Sequence, residues 1–281
     1  MADDGDEEPD AGLSAVEGTE DPGLDAVLRA VARARHGELM ASAEMREGEV
    51  LSHFSIISQL GHDGMGVVYL AHDTSLHRRV ALKVLPAHAA SDPKRRLRLL
   101  REARAAAAVK HPNIASIFEV GEVDGRVFIA MEYVDGEDLR TRMRRGRLEV
   151  GEAVAIARQI LAGLAASHAA GLIHRDLKPD NVMLARDGTV RILDFGIAKW
   201  SGSTDDLEPN DAQPITREGE VLGTPAYMSP EQALGEDVDA RTDIFSFGVM
   251  LFEMLVGVRP FGVGNKSSVM RALFDTEPEA P

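Results

Sequence analysis

Between residues 54 and 133 the apolar positions fall in short runs that alternate with polar ones, the spacing of strands whose successive side chains face opposite sides of a sheet. The runs are Phe54–Leu60, Val67–Ala71, Val80–Leu85, Ile117–Val123 and Val127–Tyr133, with one stretch at helical spacing, Pro93–Ala108. After Gly136 the pattern becomes helical over Val150–Ala170 and Arg241–Gly257, interrupted by two short strand-like runs near Val182–Leu184 and Val190–Leu193. The pattern predicts an α+β chain: a small antiparallel sheet with one helix, then a larger helical lobe, joined near Tyr133–Gly136.

The N-terminal region follows other rules. Residues 1–22 are rich in Asp, Glu, Gly and Pro and lack aromatics, so they bury too little surface to offset ordering entropy and are expected to be disordered. Residues 23–53 read as a short helix and linker, because Leu24, Val27, Leu28 and Val31 recur at helical spacing until about Gly37. The longest apolar run, Ile244–Val258, contains Ser246, Gly248 and Glu253 and is shorter than the roughly 18–20 residues that cross a bilayer. It predicts a buried helix, and no membrane segment is expected.

Composition narrows the function classes. The net charge of −15 is concentrated: residues 1–25 carry ten acids and no Lys or Arg, and residues 201–220 carry six acids against Arg217. The remaining 30 acids and 30 bases cancel. No basic patch has interleaved aromatics, which argues against nucleic acid as a partner. There is no cysteine, so disulfides, thiolate nucleophiles and Cys-containing zinc sites are excluded. The acidic start lacks the basic-then-apolar order of a secretory signal, and a cytoplasmic location is expected.

Three motifs carry chemistry. In LGHDGMGVVYLA, Gly61, Gly64 and Gly66 sit between two strand-like runs, where glycine lets the backbone approach phosphates with its N–H groups. A strand follows the loop, so a dinucleotide-binding fold, which needs a helix there, fails on context. In VALK, Lys83 lies 17 residues after Gly66 on the strand face opposite Val80, Leu82 and Val84. Glu102, in the predicted helix, offers it a partner. The third motif is HRDLKPDN, His174–Asn181, followed 13 residues after Asn181 by the DFG of Asp194–Gly196. Two oxygen ligands from different segments, Asn181 and Asp194, suit Mg²⁺, which takes one or two protein oxygens together with phosphates and water.

Joined in this order, the motifs resemble the eukaryotic-type serine/threonine protein kinases found in bacteria, over roughly Phe54 to the C-terminus. The resemblance implies a bilobal fold with an N-lobe at 54–133 and a C-lobe at 137–281, ATP and Mg²⁺, and transfer to Ser or Thr hydroxyls of protein substrates. It implies an ATP site formed by Leu60, Gly61, Gly64, Gly66, Val68, Ala81, Lys83, Met131, Glu132, Val134, Asp138 and Met183. Among these, Met131 would be the gatekeeper, Glu132 and Val134 the hinge and Asp138 the ribose contact. By the same likeness Lys83, held by Glu102, contacts the α- and β-phosphates, Asp176 orients the acceptor hydroxyl, Lys178 neutralises the transferring phosphoryl group, and Asn181 with Asp194 holds Mg²⁺. His174 would be a packing residue, and Asp243 would anchor the catalytic-loop backbone.

GTPAYMSPE, at Gly223–Glu231, resembles the peptide platform of Ser/Thr kinases, with Thr224 placed to meet Asp176 and Lys178. The resemblance also implies that Arg175 holds a phosphorylated activation segment and that Thr216 is autophosphorylated in trans by a dimer partner, with Ser201, Ser203 and Thr204 as weaker sites. Glu218 and Glu220 would partly substitute for phosphate. Two departures stand out. Asp63 replaces the usual second glycine of the loop, which should weaken ATP affinity, and no arginine partner for Glu231 is apparent before Pro281, so the domain reads as C-terminally incomplete. A scaffold that binds nucleotide without efficient transfer is the alternative.

Overall fold

The β-type runs and the helical runs segregate into two lobes in the computed structural model, which describes residues 44–63, 66–85, 93–195, 225–261 and 266–275. The N-terminal lobe is a six-stranded antiparallel sheet in the order β1-β2-β3-β4-β6-β5. Its strands are β1 Val50–Leu51, β2 Phe54–Asp63, β3 Gly66–Asp73, β4 Arg78–Val84, β5 Ile117–Val123 and β6 Arg126–Glu132. Helix α1, Pro93–Ala108, packs against the sheet. The β5–β6 hairpin turns through Asp124 (φ 51°) and Gly125 (φ 73°). Both left-handed positions suit an Asp-Gly two-residue turn, which pairs Val123 with Arg126 across the hairpin.

The core of this lobe draws on residues upstream of Phe54. Met45 and Leu51 are buried with Phe54, Ile56, Tyr69, Leu82 and Phe128, and the Met45 N–H donates to the Tyr69 hydroxyl at 2.7 Å. The expected acidic tail at 1–22 and the helix at Leu24–Gly37 lie outside the described residues.

The second lobe begins with β7 Gly136–Asp138 and α2 Leu139–Met143, too short for any periodicity to announce them. Helix α3, Val150–Ala169, follows, then β8 Val182–Ala185, β9 Val190–Ile192, α4 Pro230–Leu234, α5 Ala240–Val256 and α6 Lys266–Asp275. Strands β7, β8 and β9 form a small antiparallel sheet. Helix α3 is long and apolar enough by composition to cross a membrane, yet Ile156, Ile160 and Leu164 are buried against Leu177, Ile192, Met250 and Met254 in the lobe's core. The lobes meet where Ala115 N donates to Ile192 O and Ile192 N to Asn113 O, both at 2.9 Å.

Candidate active site

Strand alternation places Ala81 and Lys83 on the face of β4 that looks away from the Val80, Leu82 and Val84 core. Ala81 is buried with Met131, Ile129 and Ala103, and Val68 packs on this group from β3. Met183, on β8, is half-buried in the other lobe, at the register position opposite Asp138. Leu60 is exposed in β2, and Gly61 pairs with Val68. Gly66 opens β3 so close to β4 that a Cβ there would lie 2.4 Å from the Val84 carbonyl oxygen, which only glycine avoids. Asp63 ends β2 opposite Gly66, while Gly64 lies outside the described residues.

The connection between the lobes is braced by side chains. Glu132 accepts from Ser116 N–H at 3.2 Å and from Arg191 Nε–H at 3.1 Å, and Arg191 also donates to the Pro112 carbonyl. Val134 is buried. Asp138 caps α2: one carboxylate oxygen accepts from Thr141 N–H at 2.7 Å and the other from Thr141 Oγ1 at 2.9 Å. Each oxygen keeps a further lone pair for a ligand hydroxyl.

The charged centre forms across both lobes. Lys83 is 6% exposed, and its Nζ donates to Asp194 Oδ2 at 3.0 Å. Asp194 itself has φ 45°, a left-handed backbone two residues beyond the end of β9. Asp176 Oδ2 accepts from Lys178 Nζ at 3.0 Å and from Asn181 Nδ2 at 3.3 Å, and Asn181 Nδ2 also donates to the Asp176 carbonyl at 2.9 Å. With its amide nitrogen committed in this way, Asn181 has its amide oxygen left for a cation. That oxygen and the Asp194 carboxylate are hard donors on separate segments, and no cluster of three His, Cys, Asp or Glu competes among the described residues. The donor set fits Mg²⁺ shared with phosphate oxygens.

The loop carrying Asp176 hangs from a buried carboxylate. Asp243, fully buried on α5, accepts from Arg175 N–H through Oδ1 and from His174 N–H through Oδ2, both at 2.8 Å. His168 Nε2 meets Oδ2 at 2.7 Å. The His174 ring is enclosed: Nδ1 accepts from Asp176 N–H at 3.2 Å, so Nε2 carries the proton and donates to the Leu193 carbonyl at 2.8 Å. Its ring lies 5.0 Å from that of Phe195. Arg175 has φ 63°, and burial pushes its guanidinium below the ordinary arginine range while Glu102 and Asp243 act in the opposite sense. Glu102 is half-buried on α1.

Two contributors to this loop had no local signal in the sequence. Gln232 Nε2 donates to the Arg175 carbonyl at 2.8 Å, so both sides of the left-handed Arg175 are held. Arg140 reaches Asp180, Glu253 and Tyr227 from α2. Glu231 accepts from Thr242 Oγ1 at 2.5 Å, a partner within the second lobe. Thr216 and Thr224 lie outside the described residues.

The protein kinase domain matches residues 54–279 of the chain. The chain belongs to the protein kinase family. This kinase domain is 44% identical over 214 residues to serine/threonine-protein kinase pkn3 of Myxococcus xanthus, a match covering 74% of the chain and 38% of that protein. It is 42% identical over 225 residues to serine/threonine-protein kinase PknA of Mycobacterium tuberculosis, covering 78% of the chain and 50% of PknA. The kinase domain therefore spans half or less of the length of these relatives. Among solved structures it resembles the PknI kinase domain of M. tuberculosis, with a TM-score of 0.63, 32% identity and coverage of 80% of this chain and 79% of that one. The bilobal kinase fold read from the motifs is the fold observed.

Proposed function

We propose that this chain is the catalytic domain of a serine/threonine protein kinase that transfers the γ-phosphoryl group of ATP to Ser and Thr hydroxyls of proteins. The observation that supports it best is a pair of charged contacts: Lys83 reaches across the lobes to Asp194 at 3.0 Å, and within one loop Asp176 takes Lys178 and Asn181 at 2.9–3.3 Å. The relatives named as Ser/Thr kinases favour an enzyme over a nucleotide-binding scaffold.

In this reading the adenine lies between Val68 and Ala81 above and Met183 below, with Met131 behind it, Glu132 and Val134 at its edge, and Leu60 at the entrance. Asp138 meets the ribose. The backbone of Gly61, Gly64 and Gly66 covers the phosphates, and Lys83 holds the α- and β-phosphates with Glu102 supporting its ammonium. Asn181 and Asp194 hold Mg²⁺, which when bound neutralises charge on the phosphate oxygens. Asp176 orients the acceptor hydroxyl and receives its proton as the new O–P bond forms and the bond to the ADP oxygen breaks. Lys178 stabilises charge on the moving group. Thr224 favours Ser and Thr acceptors, and phosphorylation of Thr216 in trans, read by Arg175, raises activity. The domain works in the cytoplasm on protein substrates.

The test is phosphoamino-acid analysis of a generic basic protein after incubation with γ-labelled ATP, Mg²⁺ and the chain. Label in phosphoserine and phosphothreonine is expected; label confined to phosphotyrosine, or none, overturns the reading.

A further inference from the structure

Arg140 sits two residues after Asp138 and is enclosed, with 12% of its side chain exposed. Its guanidinium serves three segments at once. Nη1 donates to Glu253 Oε1 on α5 at 2.8 Å, Nη2 donates to the Tyr227 hydroxyl, and Nε lies 3.5 Å from Asp180 Oδ2, next to Asn181. The Tyr227 hydroxyl donates onward to Glu253 Oε2, and Arg259 Nε donates to Glu253 Oε1 at 3.3 Å. Both arginine heads lie 5.5 Å from the Tyr227 ring centroid. Tyr227 is buried in the Pro225–Tyr227 turn, and its carbonyl accepts from Ser246 Oγ at 2.7 Å.

The arrangement matches the chemistry of one residue type. A planar guanidinium directs donors along its edges, whereas an ammonium is a point charge that favours one partner. A buried carboxylate needs its charge and lone pairs satisfied, and here Glu253 receives two arginines and a hydroxyl. The ends of this junction belong to different functional parts: the cap of α2 at Asp138, the Asp180–Asn181 end of the catalytic loop, and the described part of the peptide platform at Tyr227.

We infer that Arg140 is a positioning residue that sets the peptide platform, through Tyr227 and Glu253, relative to the catalytic loop, through Asp180. It touches no reacting atom. The inference rests on the proposed kinase function, and it also makes Glu253 unavailable to a basic side chain of a substrate, because its oxygens are taken within the domain.

The experiment compares wild type, Arg140→Lys and Arg140→Met of the same chain in two assays. Amide hydrogen exchange needs no transfer. Segments 225–232 and 176–183 should exchange at least tenfold faster in Arg140→Met while the β2–β4 sheet is unchanged, and Arg140→Lys should show the same defect because it keeps the charge but loses the fork. Unchanged exchange at both segments overturns the inference whether or not the chain is a kinase. In steady-state phosphotransfer the KM for a peptide should rise at least tenfold in Arg140→Lys, with the KM for ATP within twofold of wild type. Full rescue by lysine, or equal rises in both constants, overturns it. Absence of transfer by wild type counts against the kinase reading alone, and the exchange assay then decides the inference.

Discussion

Replacing Asp243 with Asn changes one oxygen into an NH₂ group at a site with no access to water. The carboxylate takes three N–H donors: Arg175 N–H on Oδ1, and His174 N–H with the His168 ring on Oδ2. The amide can keep the two donors on one oxygen, and its nitrogen then faces the Arg175 N–H. A buried hydrogen bond to a charged group contributes about 1.5–3 kcal/mol, and a stranded donor costs about 1–3 kcal/mol, so a net loss of about 2–4 kcal/mol is expected. At about 2–4 °C per kcal/mol for a domain of this size, Tm should fall by about 5–15 °C. The lost contact also holds Arg175 at φ 63°, a conformation that non-glycine residues adopt at a cost of about 1–2 kcal/mol and will leave if released. Asp176 follows Arg175 in the chain. If the whole loss reaches the transition state, transfer slows by about 30- to 1,000-fold. Urea unfolding and steady-state phosphotransfer measure the two effects separately. A loss below about 1 kcal/mol, with an unchanged rate, would refute the assignment of Asp243 as the anchor of the loop.

Further outcomes follow from other contacts. Gly66→Ala places a methyl carbon against the Val84 carbonyl, so it should destabilise the domain by about 1–3 kcal/mol and raise the KM for ATP, read by urea unfolding and an ATP titration. Burial and the Glu253 bond push the Tyr227 hydroxyl up to about 12 from 10, against the opposing effect of Arg140. A raised folded value gives stability that is present below pH 10 and lost as the pH climbs toward 12; urea midpoints at pH 9 and 11.5 should diverge in wild type and diverge less in Tyr227→Phe, with Tyr69 supplying the remainder. Peptide mapping after incubation with ATP and Mg²⁺ should find phosphate on Thr216, and its absence there would remove the proposed activation site.

Long elements were readable because their periodicity is set by burial. Each strand of the sheet from β2 to β6 shows the runs expected of it, and the helical stretches at 150–170 and 241–257 coincide with α3 and α5. The short β7 and α2 gave no period to detect, though Asp138, immediately before the helix, carries a usable cap signal. Residues 45–51 read as a linker because their few apolar positions show no repeat. Met45 and Leu51 are nevertheless core, and the Met45 N–H donates to a tyrosine 24 residues away. The charged centre was legible because Asp176, Lys178 and Asn181 occupy one loop and Asp194 follows closely. Arg140, Gln232 and Glu253 were not: the Arg140–Glu253 and Gln232–Arg175 contacts span 113 and 57 residues, and only the folded chain makes them.

The most direct measurement is the initial rate of γ-phosphoryl transfer at saturating ATP and Mg²⁺, for wild type and for Lys83→Met, Asp176→Asn and Asp194→Asn, each first shown to be folded. The charged centre described above predicts transfer by wild type and losses of about 100-fold or more in every variant, since each removes charge stabilisation or positioning at the moving phosphoryl group. Equal labelling by wild type and all three variants would contradict it.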